Sequence, residues 1–129
     1  MNQFTATVKT IDHVKNLHLV SFELGNQTIK MLSLELNRIL EPESTIQLRV
    51  KSTNIALAKN FTGAISYANQ LQAKVISVNN GILLSSIGVT VEGFRLESLV
   101  TLESSLEMNL CVGDEVTVLI KGSEVFVCG

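Results

Sequence analysis

Apolar residues along this chain recur at every second position in short runs bounded by turn formers, the pattern of strands with one buried face. Phe4, Ala6 and Val8 alternate with Thr5, Thr7 and Lys9, and Ile46, Leu48 and Val50 alternate with Gln47, Arg49 and Lys51. Val116, Val118 and Ile120 do the same against Thr117, Leu119 and Lys121. Gly25-Asn26, Asn80-Gly81 and Gly93 read as turns between such runs. Two segments break the period. Leu102, Leu106 and Leu110 recur at i, i+4 and i+8 with Glu103 and Glu107 facing water, and Leu32, Leu36, Ile39 and Leu40 do something similar just ahead of Pro42. Each predicts one or two helical turns, with Thr101 and Ser33 as N-caps.

The same elements occur twice. The run from Thr45 to Leu57 lies over that from Glu115 to Val127; only the lysine is identical, Lys51 over Lys121, and six further positions exchange one aliphatic for another or Thr for Ser. Upstream, Asn2 to Val8 lies over Asn69 to Val75. The offset is 67 residues upstream and 70 downstream, so the first copy is shorter by about three residues near Pro42. Three strands, a short helix and two strands, repeated, predict an all-β protein of two tandem OB-like five-stranded barrels, residues 1–61 and 62–129. Barrels of about 60 residues bury a marginal share of their surface alone and gain by packing on one another and on other chains.

Composition agrees. In 129 residues, 46% are hydrophobic and only 17% charged, with a mean hydropathy of +0.34. Such a chain is too apolar for disorder, contains no uninterrupted apolar run long enough to span a bilayer, and carries apolar surface suited to subunit interfaces. Twelve acids against ten bases give a net charge of −2, without the basic footprint of a nucleic-acid binder. With no Trp, one Tyr and five Phe, platforms for base stacking are scarce. The N-terminal residues lack the charged and apolar regions of an export signal, so the expected compartment is the cytoplasm, with Cys111 and Cys128 as packed thiols. No membrane association is expected.

Catalytic constellations are missing: there is no Walker loop, no GxGxxG and no nucleophile–base pattern. His13 and His18 are too few for a metal centre and read as exposed turn residues. Glu41/Glu43 and Asp114/Glu115 read as solvated turn acids. The repeated corners are more informative. Lys51, Ser52 and Thr53 in the first copy, and Lys121, Gly122 and Ser123 in the second, each join two strands through a very short connection. An ammonium, hydroxyls and freed backbone amides form a cluster of donors suited to a small oxyanion. The same spacing also describes a polar turn with a solvated lysine. No acid lies between Glu43 and Glu92 around the first corner, whereas Glu124 sits beside the second and its side chain has to point away.

The stretch Ile65-Ser66-Tyr67-Ala68-Asn69-Gln70-Leu71-Gln72-Ala73-Lys74-Val75 resembles the opening of a Mop domain, typically I-S-A-R-N-x-L-x-G-x-V. Leu96 to Ser104, Leu110 to Val116 and Ile120-Lys121 continue the pattern in order. The resemblance covers the second half and, through the repeat, a divergent first half. The chain is thus similar to molbindins with tandem Mop domains, within the TOBE group of molybdate-binding OB modules.

This resemblance implies non-catalytic binding of molybdate or tungstate at interfaces between Mop domains, in a homotrimer, for intracellular storage, buffering or homeostasis. Carried over by position, the oxyanion ligands are Ser66, Thr101, Lys121 and Gly122, with Lys51 and Ser52 in the first copy; Thr53 and Ser123 add hydroxyls at the corners. No metal is bound other than as oxyanion. Ala68 stands where the family has arginine, and the first-copy counterpart of Thr101 is either Ser33 or Leu34, depending on a one-residue gap. Two other readings share the fold, a ligand-free regulatory or protein-interaction module and an OB-type nucleic-acid binder.

Overall fold

Alternation along each run puts one face inward, and the computed structural model, which describes residues 2–34, 36 and 39–128, closes those faces on a single core. The first sheet draws on β1 (Asn2–Val14), β2 (Leu17–Leu24), β3 (Gln27–Ser33) and β4 (Thr45–Val50). After a 3-10 turn at Ser52–Asn54 comes the short β5 (Ala56–Ala58). The second half repeats the series with β6 (Asn69–Asn80), β7 (Leu84–Val91), β8 (Phe94–Thr101), helix α1 (Leu102–Glu107), β9 (Glu115–Ile120), a 3-10 turn at Gly122–Glu124 and β10 (Phe126–Val127). Phe4, Ala6 and Val8 of β1, Ile46, Leu48 and Val50 of β4, and Val116, Val118 and Ile120 of β9 are all buried, as the alternation requires.

The two sheets exchange their last strands. Strand order is β10-β4-β1-β2-β3 in one and β5-β9-β6-β7-β8 in the other, so each half is completed by the short final strand of its neighbour. Phe126 of β10 pairs with Arg49 of β4, whose guanidinium lies 5.9 Å from the ring centroid, a favourable cation–π placement. One contiguous cluster runs from Phe4 through Leu48 and Ile87 to Val125, so both halves share one core rather than holding two.

The repeat holds at the level of single hydrogen bonds. A register shift follows Val8 in β1 and recurs after Val75 in β6. Val8 donates to the Ser44 carbonyl and accepts from Glu43, just as Val75 donates to Asp114 and accepts from Gly113. The change of offset falls between β3 and Glu41, opposite the place where α1 stands in the second half. In α1, Thr101 is the N-cap and its side chain accepts from the Ser104 amide. The helical turn expected over Leu32–Leu40 is corrected by the structure: Leu32 and Ser33 belong to β3, and Leu36, Ile39 and Leu40 are not helical. Leu34 is not helical either, and positions 35, 37 and 38 lie outside the described residues. Three residues fewer leave less chain there than the copy that forms α1.

The turn tips dock across the two halves. Gly25 takes a left-handed φ of +58° against Glu92, whose carboxylate accepts from the Asn26 amide at 2.7 Å and from Gln27 Nε2 at 3.0 Å. These bonds, the Asn26 amide first, hold the Glu92 carboxyl below its ordinary value. A Cβ on Gly25 would lie 2.8 Å from Glu92 Cβ. Gly25→Ala is therefore expected to cost about 1–2 kcal/mol in backbone strain, plus loss of this docking, read as a lower urea midpoint.

Candidate functional site

The second corner packs on β3. A Cβ added to Gly122 would meet Leu32 Cβ and the Leu32 amide nitrogen at 3.5 Å, so the corner lies in ordinary contact with that strand. Leu32 and its cross-strand partner Leu19 form an apolar wall. From the other side comes the arm Ser66-Tyr67-Ala68, which precedes β6. Between arm, wall and the corner Lys121-Gly122-Ser123 lies a cavity of about 340 Å³. Four of the residues singled out from sequence, Ser66, Lys121, Gly122 and Ser123, thus meet in one place although 55 positions separate Ser66 from Lys121. Every polar side chain on the cavity wall can donate a hydrogen bond, and none is a carboxylate.

Asn69 holds this arrangement together. It is 1% exposed; its Oδ1 accepts from the Lys30 amide at 2.6 Å and its Nδ2 donates to the Lys30 carbonyl at 2.9 Å. This pair of bonds ties the first residue of β6 to β3, and so fixes the arm relative to the wall. Asn2 repeats the device in the other half, accepting from the Glu97 amide and donating to the Glu97 carbonyl, both at 2.8 Å. The identity of Asn2 and Asn69 across the repeat is the sequence signal for this role. Nothing in the local pattern marks Leu19, Leu32 or Tyr67 as cavity wall.

Glu124, the acid nearest Lys121 in sequence, is engaged elsewhere: it accepts from Asn54 Nδ2 at 2.8 Å. Asn54 and Glu124 are equivalent in the repeat, so this bond joins the two corners. The first corner stands apart from the cavity; Lys51 and Thr53 are exposed and Ser52 is buried, and the corner packs against β8, where Ser98 Oγ donates to the Ile55 carbonyl at 2.6 Å. Thr101 is likewise outside the cavity; it caps α1 and donates to Ser104 Oγ at 2.9 Å.

The linker into the arm is clamped by Lys59, which donates to the Met108 and Asn109 carbonyls and pairs with Asp114 at 3.0 Å. The Cys111 amide, then Lys59, lower the Asp114 carboxyl below its ordinary value. A depressed carboxyl contributes stability that is fully present above its unfolded pKa and is lost as pH falls through the folded one. Asp114→Asn and Glu92→Gln are each expected to flatten the acid limb of stability against pH while leaving its alkaline limb unchanged, read by urea unfolding across the acid range.

His13 and His18 are cross-strand partners at the tip of β1 and β2, stacked with ring centroids 5.8 Å apart. Among the described residues no group of three or more His, Cys, Asp or Glu is placed to hold a metal ion. Cys111 and Cys128 are thiols rather than a disulfide; Cys111 is exposed, where packing was expected.

Two exchanged OB-like sheets and a donor-lined cavity at a repeated Lys corner define a tandem small-barrel binding protein, and the TOBE domain family matches residues 65–127. A probable molybdenum-pterin-binding protein of Haemophilus influenzae (strain ATCC 51907 / DSM 11121 / KW20 / Rd) is 39% identical over 64 residues, covering 49% of this chain and 93% of that one. Molybdenum-pterin-binding protein 1 of Clostridium pasteurianum is 29% identical over 65 residues, covering 50% and 96%. The chain belongs to this TOBE-domain family of Mop-type molybdenum-pterin-binding proteins. Among solved structures, the cytoplasmic molybdate-binding protein ModG, in a form with molybdate bound, shares the fold over 98% of this chain and 94% of its own, with TM-score 0.88 and 24% identity. A molybdate-binding protein from Sporomusa ovata superposes over 52% of this chain and all of its own, with TM-score 0.50 and 31% identity.

Proposed function

We propose that this chain binds molybdate or tungstate as the intact oxyanion, without catalysis, in the cavity between the Ser66–Ala68 arm and the Lys121–Ser123 corner. The observation that carries this reading is the cavity's lining, assembled from segments distant in sequence, in which every polar side chain can donate a hydrogen bond and none is a carboxylate. Molybdate at neutral pH is a proton-free tetrahedral dianion that only accepts hydrogen bonds, whereas phosphate retains a proton that a carboxylate would capture. Lys121 supplies the ammonium, Ser66 and Ser123 hydroxyls, and Gly122 a backbone amide. Charge-assisted bonds contribute roughly 1.5–3 kcal/mol each. Several of them, less the desolvation of a dianion, support a net near −8 kcal/mol, about micromolar, suited to storage, buffering or homeostasis.

Within the same proposal the protein is a cytoplasmic homotrimer built from subdomains 1–61 and 62–129, with no nucleic-acid or membrane partner. The wall residues Leu19 and Leu32 are 39% and 41% exposed, and Leu34 and Ile39 beyond β3 are 71% and 89% exposed. Such apolar surface beside the cavity supports coverage by a neighbouring copy, which would bring Thr101 towards anions at subunit interfaces. No described helix is long and apolar enough to cross a membrane. A ligand-free regulatory module is the second reading, favoured by Ala68 at the family's arginine position. Isothermal titration separates the two: heat with molybdate or tungstate and far less with phosphate supports oxyanion binding, and no heat with any of them supports the ligand-free module.

A further inference from the structure

The two corners are equivalent in the repeat but not in charge. Ile29 and Met31 of β3 are buried, so Lys30 shares the outer face with Leu32 beside the second corner. Leu96 and Ser98 of β8 are buried, so Glu97 shares the outer face with Leu99 beside the first corner. Lys30 and Glu97 are equivalent positions, held by Asn69 and Asn2 through the same pair of backbone bonds. Leu19, an apolar wall of the cavity, has Ser86 as its counterpart, and Ser86 Oγ donates to Glu97 Oε2 at 2.8 Å. The first corner, free of acids in the local sequence, thus faces a strand bearing a carboxylate. The second, with Glu124 adjacent in sequence, has that acid tied to Asn54.

We infer that Glu97 sets the selectivity of the first corner, excluding proton-free oxyanions from Lys51-Ser52-Thr53, while the second corner admits them. This inference rests on the oxyanion reading of the second corner. A fixed carboxylate repels a dianion and offers it no donor, so at separations of 6 Å or so the charge alone weakens binding by about tenfold or more. Proton-bearing oxyanions escape part of this penalty by donating to the carboxylate.

The test is tungstate titration calorimetry on the full-length protein, comparing wild type with Lys51→Ala, Glu97→Gln, Glu97→Lys and Glu97→Gln/Lys51→Ala. Gln retains a carbonyl oxygen for Ser86, Lys copies Lys30, and neither touches the backbone bonds to Asn2, so thermal melting provides the folding control. Wild type and Lys51→Ala are expected to bind equally. Glu97→Gln and Glu97→Lys are expected to add a second class of tungstate site, with affinity raised about tenfold or more over wild type at that corner, and Glu97→Gln/Lys51→Ala to lose it again. Unchanged isotherms in both folded Glu97 variants, or a reduced stoichiometry in Lys51→Ala alone, overturn the role of Glu97 while leaving the second corner intact. Absence of tungstate binding in wild type overturns both readings together.

Discussion

Replacing Lys121 with alanine is expected to weaken molybdate and tungstate binding by about 10- to 150-fold, the equivalent of one charge-assisted hydrogen bond of roughly 1.5–3 kcal/mol. Lys121 supplies the only ammonium among the cavity's lining residues, and no arginine compensates because Ala68 occupies that place in the arm. The side chain is exposed and makes no ion pair among those described, so stability should stay within about 0.5 kcal/mol of wild type. The signature is therefore lost affinity at an unchanged urea midpoint. Lys121→Arg should retain charge but place it on a planar fork, giving intermediate affinity. An isotherm unaltered by Lys121→Ala would remove the corner from the site.

Asn69→Ala should act in the opposite proportion, on stability first and on binding through it. Removing the amide leaves the Lys30 N–H and carbonyl without their partners at a contact that is 1% exposed on the Asn69 side. The expected cost is about 2–4 kcal/mol, because each orphaned polar group carries its own desolvation penalty. The same bonds align β3 with the start of β6, so the wall at Leu32 and the arm at Ser66 should lose their register, and oxyanion affinity should fall as well. Asn69→Asp retains an acceptor for the Lys30 amide but opposes a carboxylate to the Lys30 carbonyl, and should be no better than alanine. Urea unfolding monitored by circular dichroism reads the first effect and calorimetry the second.

Strand content, the repeat and the corners were legible because each depends on local pattern. Period-two burial at Phe4-Ala6-Val8 and Val116-Val118-Ile120 needs only a sheet with one wet face, whichever sheet it is. The exchange of β5 and β10 was not legible. Strands of three and two residues carry too little pattern to say which sheet they join, and the choice is made by tertiary packing such as Phe126 on Arg49. The helix expected across Leu32–Leu40 failed for a related reason: i, i+4 spacing of leucines also suits a strand that ends and a connection that crosses the core edge. Acidity around the corners reversed between sequence and space. Neighbours along the chain made the first corner clean and the second doubtful, whereas β8 brings Glu97 to the first and Asn54 draws Glu124 away at the second. The equivalence of Asn2 and Asn69 stood in the repeat from the start, but its meaning depended on strands that only the fold brings together.

Tungstate scatters anomalously with enough strength to be located directly in crystals of the full-length protein. Soaked crystals should show an anomalous peak in the cavity, within hydrogen-bonding distance of Lys121 Nζ, the Gly122 amide and the Ser66 or Ser123 hydroxyl. A cavity that stays empty while the protein binds tungstate elsewhere, or that is filled by a carboxylate from a neighbouring copy, would contradict oxyanion capture at this corner.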